Sequence, residues 1–211
     1  QLPMNELEEI VARFVATLSR EISVLKLLTP IKSYSNYTYV HSINVAILSI
    51  FQAESLGLEG KLLHDIGLAA LLHDVGKLFI DKDILEKQGP LDEQEFAAMT
   101  RHPAYGAAYL ARIEGIARIV PIVAFEHHQK HDGTGYPKRK TGGSKQHTGS
   151  QMVAVSDVFD ALRSWRPYRK SLEMDEVLML MQKGIGADFN RHLVENFINA
   201  FQKAVRKERQ S

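Results

Sequence analysis

The heptapeptide Leu71-Leu72-His73-Asp74-Val75-Gly76-Lys77 places an imidazole and a carboxylate next to each other directly after an apolar segment. Neighbouring side chains on an α helix point about 100° apart, so His73 and Asp74 cannot lie along the same helix face. They can reach one centre where a helix ends, and Gly76 is a typical residue at such an end. The heptapeptide therefore predicts either a polar helix terminus or part of a functional site.

Apolar residues recur three or four positions apart on both sides of this heptapeptide, which is the pattern of helices that bury one face. No alternating pattern typical of β strands persists along the chain. Asp92 and Glu95 have the spacing of a capping box at a helix start. The periodicity predicts an all-α fold of about seven to eight helices. The longest of these are expected over residues 4–28, 35–55, 60–72, 116–128, 152–162, 172–183 and 188–207.

The composition argues against several classes of protein. The 211 residues include 26 basic and 25 acidic side chains, so neither a nucleic-acid polymer nor a membrane is expected as a partner. Because the chain has no cysteine, it has no disulfide framework, and a metal ion would need histidine or carboxylate ligands. No apolar run reaches the length of a membrane span and no signal peptide is visible, so we expect a cytoplasmic protein.

Five histidines and two aspartates are candidate metal ligands because each is expected near a helix end or on a core-facing helix position. Any one of them could instead be a hydrogen-bonded core residue or a polar residue at the end of a helix. Seven such residues together are harder to explain in that way, since carboxylates facing a core are almost never left unpaired. The candidates are His41, His73, Asp74, His102, His127, His128 and Asp157.

The order and spacing of these motifs resemble the HD-GYP family, a subset of the HD-domain phosphohydrolases. The match covers about residues 35 to 200. The resemblance implies an HD-domain-like helical bundle with a metal centre inside the bundle. It is carried by His41, His73-Asp74-x-Gly76-Lys77, His102-Pro103, His127-His128, Asp132-x-x-Gly135-Tyr136-Pro137, Val155-Ser156-Asp157-Val158-Phe159-Asp160-Ala161-Leu162 and Arg166-Pro167-Tyr168-Arg169.

The resemblance implies a metal-dependent phosphodiesterase. Its substrate would be cyclic di-GMP, which attack by a metal-bridging hydroxide would open to linear pGpG. Whether the reaction continues to GMP is left open. Asp74 would bridge two divalent ions, one held with His41, His73 and Asp157 and the other with His102, His127 and His128. A sulfur-free set of nitrogen and oxygen ligands suits iron, manganese, nickel, cobalt or zinc. Among these metals, the resemblance implies iron first and manganese second.

The resemblance also implies roles for four residues outside the ligand set. Lys77 would meet the leaving oxygen or a phosphate oxygen, although a lysine near a helix end also balances the helix dipole. Arg166 and Arg169 would bind the substrate phosphates with forked hydrogen bonds, or else form a basic surface turn. Tyr136 would contact a phosphate or the base-binding rim, or else anchor its own loop.

Two features depart from the family pattern. Tyr37 stands where some relatives carry a glutamate that binds a third metal, and a phenol with a pKa of about 10 is a poor ligand, so we predict two metals and pGpG as the product. His131 replaces an aromatic residue, and the segment from Lys138 to Gly149 is unusually polar. These changes leave open another substrate, such as cyclic GMP-AMP.

Two other classes of function stay open. The chain could be a signalling or interaction module with weak or no turnover, whose Gly-Tyr-Pro loop binds a partner such as a diguanylate cyclase, or an HD phosphohydrolase of mononucleotides. We expect a catalytic domain over residues 31–211, preceded over residues 1–30 by an N-terminal helix that could continue from an upstream sensory or receiver domain. A homodimer is a further possibility that the sequence leaves open.

Overall fold

The computed structural model describes residues 2–20, 23–28, 37–138, 145–164 and 172–210. These residues form no β strand, which confirms the predicted all-α fold, and none of their helices is long and apolar enough to cross a membrane. One 3₁₀ helix spans Val75–Phe79. The α helices are α1 (Met4–Leu18), α2 (Val24–Leu27), α3 (Tyr37–Ser55), α4 (Gly60–Leu72), α5 (Lys82–Leu85), α6 (Glu93–Met99), α7 (His102–Leu110), α8 (Ile119–Glu126), α9 (Thr148–Arg163), α10 (Met174–Lys183) and α11 (Arg191–Gln210).

The core lies between α3, α4, α8 and α9, with α11 packed along the far side of α9 and α3. Its aromatic part consists of Phe159 on α9 and Phe197 and Phe201 on α11, whose ring centroids lie 5.0 and 4.8 Å from that of Phe159. All three rings are fully buried. Each such side chain contributes about 1.5–3 kcal/mol through burial, so this cluster fixes α9 in place.

The segment over residues 4–28 was predicted to be one helix, but the structure forms two, α1 and α2, with Ser19 as the C-cap of the first. The hydroxyl of Thr17 donates to the carbonyl of Arg13, and that of Ser19 donates to Glu54 on α3. Serine and threonine side chains that bond in this way compete with the helical backbone. Apolar spacing alone does not detect this competition, so the prediction of one helix was wrong.

The interpretation of Gly76 as a helix terminator is also wrong. Helix α4 ends at Leu72, and Gly76 lies inside the following 3₁₀ helix. A Cβ atom added at Gly76 would lie 1.9 Å from the carbonyl oxygen of His102. Gly76 is therefore needed for close contact, because it lets the segment after Asp74 lie directly against the start of α7.

Gln146 and His147, directly before α9, form hydrogen bonds that join this helix to the end of α8. Gln146 donates hydrogen bonds to the carbonyl oxygens of Glu126 and Gln129, both at 3.0 Å, and the ring of His147 caps α9 by accepting from the amide of Gly149. Helix α9 consequently begins at Thr148, earlier than predicted. These hydrogen bonds fix the two helices relative to each other.

Candidate metal centre

Five different elements bring the candidate ligands to one place. His41 lies on α3, His102 begins α7 and Asp157 lies on α9. The adjacent pair His73-Asp74 follows the end of α4, and the pair His127-His128 follows the end of α8. His128 is half-buried, whereas the other six are at most 8% exposed. The structure thus assembles all seven predicted residues inside the bundle.

Four of these residues form a first group. One ligand atom from each of Asp74, His102, His127 and His128 lies within 4.8 Å of the corresponding atoms of the other three. Oδ1 of Asp74 is 3.2 Å from Nε2 of His102 and 3.7 Å from Nε2 of His127. The two imidazole nitrogens are themselves 3.3 Å apart. Such a convergence of imidazoles on one carboxylate is the ligand chemistry of a divalent cation.

The remaining three residues form a second group. His41, His73 and Asp157 also offer ligand atoms within 4.8 Å of one another, and Nε2 of His41 lies 3.0 Å from Oδ1 of Asp157. Nε2 of His73 is 3.3 Å from Oδ2 of Asp74. Asp74 therefore faces both groups, with one carboxylate oxygen toward each.

Hydrogen bonds fix the tautomers of three imidazoles. Nδ1 of His73, His102 and His127 donates to the carbonyl oxygens of Ala70, Met99 and Ala124, at 2.7, 2.8 and 3.0 Å. Because a carbonyl oxygen can only accept, each Nδ1 carries the proton and each neutral ring offers a lone pair at Nε2. These Nε2 atoms are the ones that point toward Asp74 and toward one another.

Two atoms at this point lack hydrogen-bond partners among the described residues. Nε2 of His73 and Oδ1 of Asp74 are fully buried, and the approach of His102 to Oδ1 does not have hydrogen-bond geometry. Buried polar atoms are rarely left unsatisfied, and such exceptions often mark an ion or a functional site. The donor set therefore fits divalent cations, and the chain contains two candidate groups of ligands for them.

Asp160, which was not among the predicted site residues, supports the second group. Its fully buried carboxylate accepts from Nδ1 of His41 at 2.8 Å, from the amide of Asn44 at 2.9 Å and from Nε of Arg163 at 3.1 Å. This arrangement holds the ring of His41 with Nε2 toward Asp157. A signal was present in the sequence, because Asp160 follows Asp157 by one helical turn and so lies on the same face of α9.

The pKa values of His41 and Asp74 are shifted in opposite directions. Burial alone would lower the pKa of His41, but its hydrogen bonds to Asp157 and Asp160 raise it to about 9. Burial would raise the pKa of Asp74, but the charge of Lys77 holds it well below its usual range. Asp74 is therefore an anion at neutral pH, as a residue that binds cations requires.

Lys77 and Tyr136 also lie beside candidate ligands, Lys77 beside Asp74 and Tyr136 beside His128. The ammonium of Lys77 donates to Oδ2 of Asp74. The ring centroid of Tyr136 lies 4.7 Å from that of His128, and its backbone amide donates to the carbonyl of His128. Burial raises the pKa of Tyr136, and the charges of Asp74 and Asp157 raise it further, so its hydroxyl stays protonated.

A cavity of about 750 Å³ opens beside His128 and Tyr136. Its walls also include Phe96 on α6 and Lys138 after the Gly-Tyr-Pro loop. A second cavity, of about 310 Å³, lies between α10 and α11 and contains none of the predicted site residues. The first cavity therefore borders the candidate metal centre at His128.

The positions of three predicted functional side chains stay open. Arg166 and Arg169 lie outside the described residues, as does the side chain of Tyr37. Their expected roles in phosphate binding and in limiting the number of metals stay predictions from the sequence.

A protein-family model described as HD domain matches residues 26–193. The chain belongs to the HD domain family. Within it, the chain is 37% identical to the cyclic di-GMP phosphodiesterase PA4108 of Pseudomonas aeruginosa, an alignment that covers 93% of this chain and 46% of that protein. It is 36% identical to the 3'3'-cGAMP-specific phosphodiesterase 3 of Vibrio cholerae, over 72% of this chain and 32% of that protein. The chain thus spans less than half of the length of either relative.

A solved structure supports the HD-domain fold. Bd1817, an HDG"Y"P protein from Bdellovibrio bacteriovorus, superposes with a TM-score of 0.76 over 94% of this chain and 63% of that one, at 18% sequence identity. Together with the family match and the relatives, this similarity confirms the resemblance to HD-GYP proteins predicted from the His73-Asp74 and Gly135-Tyr136-Pro137 motifs.

Proposed function

We propose that this chain is the catalytic domain of a metal-dependent phosphodiesterase that hydrolyses cyclic di-GMP to linear pGpG. The observation that carries the proposal is the position of Asp74, whose two carboxylate oxygens face the two groups of candidate ligands at 3.2 Å from His102 and 3.3 Å from His73. The similarity to PA4108, a cyclic di-GMP phosphodiesterase, supports the choice of substrate.

The ligand groups suggest two ions, one held by His41, His73, Asp74 and Asp157 and the other by Asp74, His102, His127 and His128. When bound, such ions neutralise phosphoryl charge and supply a nucleophilic water at neutral pH. Nitrogen and oxygen ligands without sulfur suit several divalent metals, and from the resemblance to HD-GYP proteins we propose iron first and manganese second.

Lys77 and Tyr136 are proposed to act directly on the substrate. The ammonium of Lys77 lies beside Asp74, where it can donate a proton or a hydrogen bond to the oxygen that leaves phosphorus. The protonated hydroxyl of Tyr136, at the entrance beside His128, can donate to a phosphate oxygen. From the sequence, Arg166 and Arg169 are proposed to bind the second phosphate of the cyclic dinucleotide.

A second candidate substrate is cyclic GMP-AMP, because a 3'3'-cGAMP-specific phosphodiesterase is about as similar to this chain as PA4108, at 36% against 37% identity. Both substrates contain the same two phosphodiester bonds, so the metal centre does not distinguish between them. The choice between them would depend on contacts with the bases.

The test compares two aspartates of the same region. We expect Asp74→Asn to reduce the hydrolysis of cyclic di-GMP more than about 100-fold, because even the loss of an outer partner of a metal ligand costs 10- to 100-fold. Asp65→Asn is the control, since Asp65 lies on α4 and pairs with Lys61 near the surface. Products are separated by chromatography over time, with cyclic GMP-AMP and mononucleotides such as GTP in parallel assays.

Three outcomes of that experiment contradict the proposal. They are the absence of turnover by the metal-loaded protein, equal turnover by Asp74→Asn, and hydrolysis of mononucleotides alone. The first would favour an interaction module, with the Gly-Tyr-Pro loop as the binding site for a partner such as a diguanylate cyclase. An upstream regulatory domain, a homodimer and a cytoplasmic location stay predictions from the sequence.

A further inference from the structure

The candidate metal centre is most accessible from the side of His128. Of the seven ligand candidates, His128 is the half-buried one, and the cavity of about 750 Å³ begins at its ring. A substrate phosphate that reaches the first ligand group from this side brings the rest of its nucleotide into the cavity. The walls of the cavity would then contact a part of the substrate beyond the reacting phosphate.

Phe96 is an unusual residue on that wall. Its side chain is 54% exposed, and it takes no part in the buried core. Helix α6 nevertheless holds it firmly, because the side chain of Asp92 accepts from two amides of the first turn and Glu95 accepts from the amide of Asp92. Lys87 adds an ion pair to Glu95. The helix thus presents an aromatic face to the cavity.

The rings of Phe96 and Tyr136 form a corner. Their centroids lie 6.2 Å apart with an angle of 80° between the ring planes. The ring of Tyr136 in turn packs against that of His128, with 4.7 Å between the centroids. A flat heterocycle lying on the face of Phe96 would meet Tyr136 with its edge. The exposed Lys138 lies on the wall of the same cavity. A flat ring joined to an anionic phosphate matches these neighbours, and a purine nucleotide has both.

We infer that Phe96 is the stacking platform for one purine base of the substrate. This inference rests on the proposed function, and it adds a base-binding subsite on α6, which lies outside the motifs that carry the resemblance to the HD-GYP family. Aromatic stacking of a base is tolerant of base identity, because every base has a flat π face. The subsite would therefore bind guanine and adenine alike and would contribute affinity.

The test separates the base from the phosphate. GMP and ribose 5-phosphate differ by the presence of the base, and calorimetry measures the affinity of metal-loaded protein for each. We expect Phe96→Ala to weaken GMP binding by about tenfold, in the range found for loss of one base–aromatic stack, and to leave ribose 5-phosphate binding unchanged. Phe96→Tyr keeps a flat ring and should restore GMP binding.

A matched control is Phe79→Ala, because the ring of Phe79 is similarly exposed, at 51%, and is not among the residues that line the cavity. The expected kinetic counterpart is a KM for cyclic di-GMP about tenfold higher in Phe96→Ala, with kcat within about twofold. Metal content should be the same in all three variants.

Either of two results overturns the inference. One is that GMP and ribose 5-phosphate binding change equally in Phe96→Ala, and the other is that Phe79→Ala weakens GMP binding as much as Phe96→Ala does. Failure of the proposed function has a different signature, namely no hydrolysis of cyclic dinucleotides by the unchanged protein. The binding experiment does not need turnover, so the two failures are distinguishable.

Discussion

At the scale of single residues, the site depends on how each imidazole is held. Three of the histidines donate Nδ1 to a backbone carbonyl of their own chain segment, so local folding fixes their tautomer. His41 differs, because its Nδ1 donates to the carboxylate of Asp160 on another helix. Its orientation therefore depends on the packing of α3 against α9, and Asp160 is a positioning residue for the second group of ligands.

The first prediction concerns Asp160. We expect Asp160→Asn to weaken the binding of a metal ion at the second group by about 10- to 100-fold, as is usual when the outer partner of a metal-ligating histidine is lost. The amide nitrogen introduced there would face either the donor of His41 or that of Asn44. The measurement is a competition titration with a coloured chelator, with Asp65→Asn as the control.

Because Asp160 is fully buried, loss of the fold could imitate this result. The melting temperature of the metal-free variant and the stoichiometry of the ion at the first group separate the two explanations. Unchanged metal affinity at both groups in Asp160→Asn would show that Asp160 does not position His41.

At the scale of elements, close packing of the backbone sets the distance between ligands. The 3₁₀ helix after Asp74 lies against the start of α7, where Gly76 and Gly106 face each other, and a Cβ atom on Gly106 would lie 3.0 Å from the amide nitrogen of Gly76. His102 is the first residue of α7. The absence of side chains at this contact therefore allows His102 to approach Asp74.

The second prediction is that Gly76→Ala destabilises the metal-free protein by about 2–3 kcal/mol, as is typical of overpacking. The reason is that the new methyl group would overlap the backbone carbonyl of His102, which cannot rotate away as a side chain could. Gly89→Ala is the matched control, because a Cβ atom there meets nothing within 4 Å, and its effect should stay within about 0.5 kcal/mol. Urea unfolding measures both, and equal stabilities of the two variants would contradict the account.

Apolar periodicity and motif spacing predicted most of the elements and all seven ligand candidates, because both are local properties of the chain. The capping box at Asp92 is confirmed in the same way. What the sequence did not predict depends on contacts between distant segments. The partner of Asp160 lies on α3, the contact of Gly76 is with α7, and Ser19 bonds to Glu54. None of these pairs is separated by a spacing that a helix or a turn would impose.

At the scale of the whole molecule, the metal centre connects five elements, four of which also enclose the core. The buried imidazoles present lone pairs to one another and to Asp74, an arrangement that is unfavourable without a cation. Ions that bind the folded chain and not the unfolded one should therefore stabilise the entire bundle.

The third prediction is that removal of metal by a chelator lowers the melting temperature by about 5–10 °C. A free ion at 100 times its Kd contributes about 2.7 kcal/mol, and in a domain of this size each kcal/mol corresponds to about 2–4 °C. Scanning calorimetry with and without added manganese measures the change. Asp74→Asn should lose most of this dependence, and an identical melting temperature of the unchanged protein in both conditions would contradict the prediction.

The most direct test of the central claim is a crystal structure of the protein grown with iron, with anomalous scattering measured on both sides of the iron absorption edge. We expect two anomalous peaks, one on each side of the carboxylate of Asp74, the first within bonding distance of His102, His127 and His128 and the second within bonding distance of His41, His73 and Asp157. Absence of a peak between these side chains, in crystals that contain iron elsewhere, would contradict the account.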